Sequence, residues 1–74
     1  MTGYAIIIEG GGDSFSGYAP ELPGCVATGS TVAQVEQHMR EAIRLHVELM
    51  EEQGDPVPPP TTVATAIVEV ARTR

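Results

Sequence analysis

The sequence contains one residue suited to nucleophilic chemistry, Cys25, and two histidines that could act as its base, His38 and His46. A cysteine nucleophile needs a base within hydrogen-bonding reach and a further group that orients the base. His46 falls among the apolar positions of a predicted helix, and His38 falls at their edge. Because a lone cysteine generally behaves as a small buried hydrophobe, the sequence favours a structural role for Cys25 over a Cys–His catalytic site.

Two other features invite a catalytic interpretation. The glycine-rich stretch EGGGDSFSG, residues 9–17, has the composition of a phosphate-binding loop. Such a loop leads from a strand into a helix and often carries a lysine, whereas this one joins two predicted strands. The carboxylates of Glu9, Asp13 and Glu21 would have to converge to hold metal ions, but as turn and strand-end residues they are expected to be solvated. We therefore predict that the protein is not an enzyme and holds no metal ion or cofactor.

The composition points to a small, acidic binding protein. The chain has 74 residues and a formal net charge of −6. A domain of this size has a marginal core and usually needs support from a partner or from self-association. The acidity favours a basic protein partner and argues against direct binding of nucleic acid, which uses a basic surface. No signal-peptide pattern is present, and no stretch approaches the roughly 18 apolar residues of a membrane span, so we predict a cytoplasmic protein.

Three short strands are predicted in the first part of the chain, near residues 4–9, 14–19 and 24–28, where β-branched or alternating segments are separated by glycine and proline. The glycine-rich turn predicts a hairpin in which Ile8 lies opposite Phe15. Both faces of this hairpin carry apolar side chains. One face is expected to pack on a helix, while the other is expected to be buried against another molecule.

A long amphipathic helix is predicted near residues 32–53, because apolar residues recur there at steps of three and four. Thr31 and Gln34 fit a capping box at its start, in which the threonine hydroxyl accepts from the Gln34 amide and the Gln34 side chain reaches back. Gly54 is a natural residue to end the helix.

Two more segments follow the helix. Residues 56–60, PVPPP, predict a stiff, extended spacer, and residues 62–70 are rich in β-branched residues and predict a last strand. This strand is expected to join the sheet either in its own chain or in a neighbouring copy. The element order βββαβ predicts an α+β fold, with an antiparallel sheet and one amphipathic helix packed on one face.

Several short motifs are more informative in their order than alone. GYAPELPGC contains the end of the second predicted strand, TGST opens the helix, and EQGDPVPPP follows it. The motif positions are Gly17, Tyr18, Pro20, Leu22, Pro23, Gly24 and Cys25, then Gly29 and Thr31, and then Gly54, Pro58 and Pro60. In this order and spacing, the sequence resembles the HicB family of antitoxins over residues 3–70.

The resemblance implies a single domain, residues 1–74, with a partial RNase H-like fold of the same βββαβ order. HicB antitoxins form dimers or tetramers, and they bind and block HicA, a small basic RNase that cleaves messenger RNA. The resemblance therefore implies an antitoxin of a type II toxin–antitoxin system that inhibits a HicA-like toxin by occlusion. Many family members carry a C-terminal DNA-binding domain, and none is expected in this sequence.

We predict Tyr18, Glu21 and Leu22 as the residues that contact a partner, although self-association could use the same side chains. The resemblance gives Cys25 no catalytic role. The alternative to an antitoxin is an orphan module of the same fold, serving as a homo-oligomeric scaffold or small-ligand module without a toxin. A small lysine-rich protein encoded in the adjacent reading frame would favour the antitoxin.

Overall fold

A computed structural model describes residues 3–71. Three strands, β1 (Ile7–Gly11), β2 (Ser14–Tyr18) and β3 (Val26–Gly29), are followed by one helix, α1 (Val32–Gln53). The strands form an antiparallel sheet in the order β1–β2–β3, and α1 packs on one face of this sheet. The predicted α+β fold, with an antiparallel sheet and a single amphipathic helix, is confirmed.

The turn between β1 and β2 is tighter than the sequence predicted. Gly12–Asp13 forms a two-residue loop in which Gly12 has a φ of 64°, a conformation that glycine adopts at little cost. As a result, Ile8 pairs with Gly17 and not with the predicted Phe15. The register shift of two residues (17 − 15) keeps every side chain on its predicted face. The strands β2 and β3 lie within two residues of their predicted bounds.

Helix α1 occupies the residues predicted for it because both of its ends are fixed locally. The Thr31 hydroxyl accepts a hydrogen bond from the Gln34 backbone N–H at 3.0 Å, which satisfies one of the free amides of the first turn. The Gln34 side chain reaches one residue farther back than in a capping box and accepts the N–H of Ser30 at 2.8 Å. At the other end, Gly54 has a φ of 73° and donates its N–H to the Glu51 carbonyl.

Within residues 3–71, no helix combines the length and apolar character needed to cross a membrane.

The core lies between α1 and the inner face of the sheet. Its fully buried side chains are those of Leu22, Val35 and Met39, and Ala19 and Cys25 complete the cluster. The structure corrects the expectation that Leu22 contacts a partner. The Leu22 side chain is 0% exposed, since the bend between β2 and β3 turns it into the core, and it has no surface to offer to another molecule.

The segment after α1 forms no strand. Residues 55–71, which include the predicted spacer, contain neither helix nor strand, so the strand predicted near residues 62–70 does not form within this chain. A strand needs a neighbour for its backbone N–H and C=O groups, and this segment pairs with none in the described chain. The protein measures 52 Å along its longest axis against 26 and 23 Å along the others. The other predicted arrangement, in which residues 62–70 pair with a neighbouring copy of the chain, stays a prediction.

Candidate protein-binding surface

The face of the sheet opposite α1 carries an apolar row that crosses all three strands. Ile7 of β1 pairs with Tyr18 of β2, and Tyr18 pairs with Val26 of β3. Directly paired residues point to the same side of a sheet, so these three side chains lie next to one another. They are 39%, 38% and 65% exposed, respectively. We call these three residues the outer row.

Polar side chains border the outer row. On the same face, the next set of paired residues toward the β1–β2 turn is Glu9, Ser16 and Thr28. An apolar centre with a polar, partly charged rim is the usual anatomy of a protein–protein interface. The outer row is therefore the best candidate for a binding site on this domain.

The bend between β2 and β3 is built from two consecutive turns. The Leu22 N–H donates to the Ala19 carbonyl at 3.0 Å, and the Cys25 N–H donates to the Leu22 carbonyl at 3.0 Å. A third bond, from the Ala19 N–H to the Cys25 carbonyl at 3.2 Å, closes the loop. Each turn has a proline at its second position, and Gly24, with a φ of 86°, follows Pro23 as in a type II turn. This geometry turns Leu22 into the core and leaves Glu21 half-buried beside the segment that follows α1.

Glu21 binds the segment that follows α1. Its Oε2 atom accepts hydrogen bonds from the hydroxyl and the N–H of Thr61 and, at 3.0 Å, from the N–H of Thr62. These bonds, of which that from the Thr61 hydroxyl contributes most, lower the pKa of the Glu21 carboxyl. Nearby, the Tyr4 hydroxyl donates to the Pro58 carbonyl at 2.5 Å. Glu21 therefore acts as an anchor within the chain through Oε2, whereas its buried Oε1 atom has no hydrogen-bond partner among the described residues.

Cys25 and His38, two of the residues that could take part in nucleophilic chemistry, lie in environments that indicate structural roles. Cys25 is a free, buried thiol, and burial raises its pKa, which keeps it in the neutral, weakly nucleophilic form. The Nδ1 atom of His38 lies 2.7 Å from the Thr28 carbonyl oxygen, so this histidine joins α1 to β3. Across residues 3–71, no three potential metal ligands come together. The surroundings of Cys25 favour its interpretation as a core residue.

Two of the motif glycines, Gly17 and Gly29, lie where the sheet comes close to α1. A Cβ atom on Gly17 would lie 2.7 Å from the Val35 Cγ1, and one on Gly29 would lie 3.0 Å from the Gln34 Cβ. Both positions therefore let the sheet approach α1 more closely than a larger residue would allow. The double turn contains Pro20, Pro23 and Gly24, and the two ends of α1 are Thr31 and Gly54. The segment after α1 contains Pro58 and Pro60.

Of the three residues predicted to contact a partner, only Tyr18 lies in the candidate site. Glu21 anchors the later segment and Leu22 fills the core. Ile7 and Val26 are not among the predicted contacts, although the sequence predicts that one face of the hairpin has no cover within the chain. The alternation of CVAT, which brings Val26 to the opposite face from the buried Cys25, is the signal that could have identified Val26.

A known protein family and a solved structure are similar to this chain. A family model described as the HicB-like antitoxin of bacterial toxin–antitoxin systems matches residues 4–71. Among solved structures, a chain of the HicA3 and HicB3 toxin–antitoxin complex matches with a TM-score of 0.69 and 35% identity, covering 80% of this chain and 70% of that chain.

A curated phage protein is also similar. The uncharacterized 14.9 kDa protein in the rep–hol intergenic region of Haemophilus phage HP1 (strain HP1c1) is 34% identical over 55 residues. The match includes 74% of this chain and 41% of the phage protein, so this chain spans less than half of that relative's length.

Proposed function

Because the chain belongs to the HicB-like antitoxin family of bacterial toxin–antitoxin systems, we propose that it acts by binding a toxin protein and not by catalysis. The toxin we propose is a small, basic RNase of the HicA type that cleaves messenger RNA. The observation that carries this proposal is the match, at 35% identity, to a chain of the HicA3 and HicB3 complex.

Recognition of the toxin would combine an apolar and an electrostatic contribution. The outer row offers adjacent apolar side chains, including an aromatic one of the type that often anchors protein interfaces. The net charge of −6 attracts a basic partner and speeds the encounter between the two proteins. Glu9, on the same face as the outer row, supplies negative charge at the rim of the proposed contact.

The same features support inhibition by occlusion. An RNase that binds the RNA backbone does so through basic side chains. An acidic domain complements the same positive surface, so its binding excludes RNA without any chemical step. The buried thiol of Cys25 is consistent with a protein that needs no nucleophile for its function.

The proposal extends to assembly and location. We propose that the antitoxin is a homo-oligomer, a dimer or tetramer, and that it acts in the cytoplasm, where messenger RNA is available to the toxin. Self-association is supported by the small core and by the exposed apolar side chains of the segment after α1. The toxin and a second copy of the chain would then use different surfaces.

The test is to measure binding between the chain and the small basic protein encoded beside it, by isothermal titration calorimetry. Tyr18→Ala is expected to weaken binding by at least about tenfold, because truncating a central aromatic anchor commonly costs more than 1–2 kcal/mol. Leu49→Ala is the matched control. It removes another exposed apolar side chain, on α1, and is expected to leave the affinity unchanged.

Two results would count against the proposal. Unchanged affinity of the Tyr18→Ala chain would remove the outer row from the interface. If the neighbouring gene encodes no small basic protein and the chain is recovered from its native lysate only with itself, the orphan homo-oligomeric module becomes the better description.

A further inference from the structure

Two sets of paired residues lie next to each other on the exposed face of the sheet. The first is the outer row, with Tyr18 at its centre, and the second consists of Glu9, Ser16 and Thr28. The side chains of both sets are exposed. Neighbours on one face of a strand are two residues apart, so about 7 Å separates the two sets. An apolar strip and a polar strip that contains a carboxylate therefore lie side by side.

Glu9 and Tyr18 are diagonal neighbours in this arrangement. Glu9 pairs with Ser16, two residues before Tyr18 on β2, and Tyr18 pairs with Ile7. Diagonal positions on one face of a sheet are about 7–8 Å apart, which long side chains and aromatic rings can bridge. The small side chain of Ser16 leaves space above the sheet between the ring and the carboxylate. A long side chain from another protein can therefore contact both groups at once.

The Glu9 carboxylate has no ion-pair partner among the described residues. Both ion pairs within residues 3–71 are formed by Arg44 with glutamates of α1. Arg40, the other arginine in this part of the chain, also lies on α1, which packs on the opposite face of the sheet. The exposed face therefore offers a carboxylate and an aromatic ring to a cation from another molecule.

We propose that this face binds an arginine of the toxin, with the guanidinium over the Tyr18 ring and paired with the Glu9 carboxylate. This proposal rests on the proposed function and names the chemical group that the outer row recognises. A cation over an aromatic face is attracted by the charge distribution of the ring, and the carboxylate adds charge-assisted hydrogen bonds. The aliphatic part of the arginine side chain lies on the apolar strip beside Ile7.

Arginine fits this surface better than lysine does. Its guanidinium group is planar, stacks on aromatic rings and has five N–H donors, whereas the ammonium group of lysine is compact and strongly hydrated. A protein that binds RNA uses such side chains, because guanidinium groups pair with phosphates and stack on bases. An arginine held by Tyr18 and Glu9 is not available to RNA, which connects this contact to inhibition by occlusion.

The first experiment compares two substitutions of Tyr18 by isothermal titration calorimetry with the small basic protein encoded beside the chain. Tyr18→Leu keeps an apolar side chain without the ring, and Tyr18→Phe keeps the ring. Tyr18→Phe is expected to bind about fivefold more tightly than Tyr18→Leu, because only the aromatic ring attracts the cation. Tyr18 is 38% exposed, so circular dichroism is expected to show an intact fold in both variants. Equal affinities of the two variants would overturn the proposal.

The second experiment identifies the partner group by double-mutant cycles. Each arginine of the basic protein is replaced in turn by methionine, which keeps the length of the side chain and removes its charge. One replacement is expected to weaken binding to the parent chain by about fivefold or more and binding to the Tyr18→Leu chain by less. The same replacement is expected to couple with Glu9→Gln. With Glu52→Gln, the control on α1, the two effects are expected to add.

These titrations separate the two proposals. If the basic protein binds but no arginine replacement couples with Tyr18→Leu, the arginine contact is wrong and the proposed function stands. If the parent chain does not bind the basic protein, both proposals fail.

Discussion

Glu21 holds the segment after α1 against the bend between β2 and β3. Its carboxylate accepts hydrogen bonds from Thr61 and Thr62, residues 40 and 41 positions away. The sequence predicts Glu21 as a partner contact, because no local pattern marks a bond between residues so far apart. The double turn presents the Glu21 carboxylate to the backbone N–H groups of Thr61 and Thr62.

Acid is expected to release this contact. Hydrogen bonds from Thr61 and Thr62 lower the pKa of Glu21 in the folded chain. The anchor is therefore at full strength above the ordinary glutamate pKa of about 4.3, and it is lost as the pH falls through the lower pKa of the folded state. Two-dimensional NMR of the Thr61 and Thr62 amides should show a joint shift with a midpoint below the ordinary value. In the Glu21→Gln control, this transition is expected to disappear. A midpoint at the ordinary value would contradict the anchor.

The elements differ in how far the sequence could predict them. Helix α1 was predicted correctly at both ends because Thr31 and Gly54 fix those ends through contacts within a few residues. The β1–β2 register was wrong by two residues, since three successive glycines permit more than one turn. The strand predicted near residues 62–70 does not form in the chain because composition shows a tendency to pair but does not supply a partner.

The contact between β2 and α1 depends on the absence of a side chain at Gly17. A Cβ atom there would lie 2.7 Å from the Val35 Cγ1 and 3.3 Å from the Met39 Cγ, and both neighbours are fully buried. Gly17→Ala is therefore expected to destabilise the fold by about 1–3 kcal/mol, the usual cost of overpacking a core, as measured by urea denaturation. Gly11→Ala is the control, because a Cβ at Gly11 meets no atom within 4 Å. If the Gly17→Ala and Gly11→Ala chains have the same free energy of unfolding, the sheet and α1 can move apart at little cost.

At the scale of the whole molecule, the candidate site is a product of sheet topology. Tyr18 could be identified from its motif, but Ile7 and Val26 join it only because β2 pairs with both other strands in one particular register. Sequence periodicity indicates which side chains share a face of their own strand, and it does not indicate which residues are neighbours across strands. The sequence could therefore predict that an apolar face is uncovered, whereas only the structure shows which residues form that face.

The acidity of the whole molecule leads to a prediction about the rate of toxin binding. Between about 0.01 M and 0.1 M ionic strength, the screening length falls from about 30 Å to about 10 Å, so attraction over the whole molecule weakens. The association rate with a basic toxin is expected to fall by about tenfold, with a smaller change in the dissociation rate, as measured by stopped-flow fluorescence. Glu9→Gln and Glu52→Gln each change the net charge from −6 to −5, but only Glu9 lies on the face of the outer row. Glu9→Gln should therefore slow association more than Glu52→Gln. Equal effects would mean that the toxin responds to total charge and does not approach through this face.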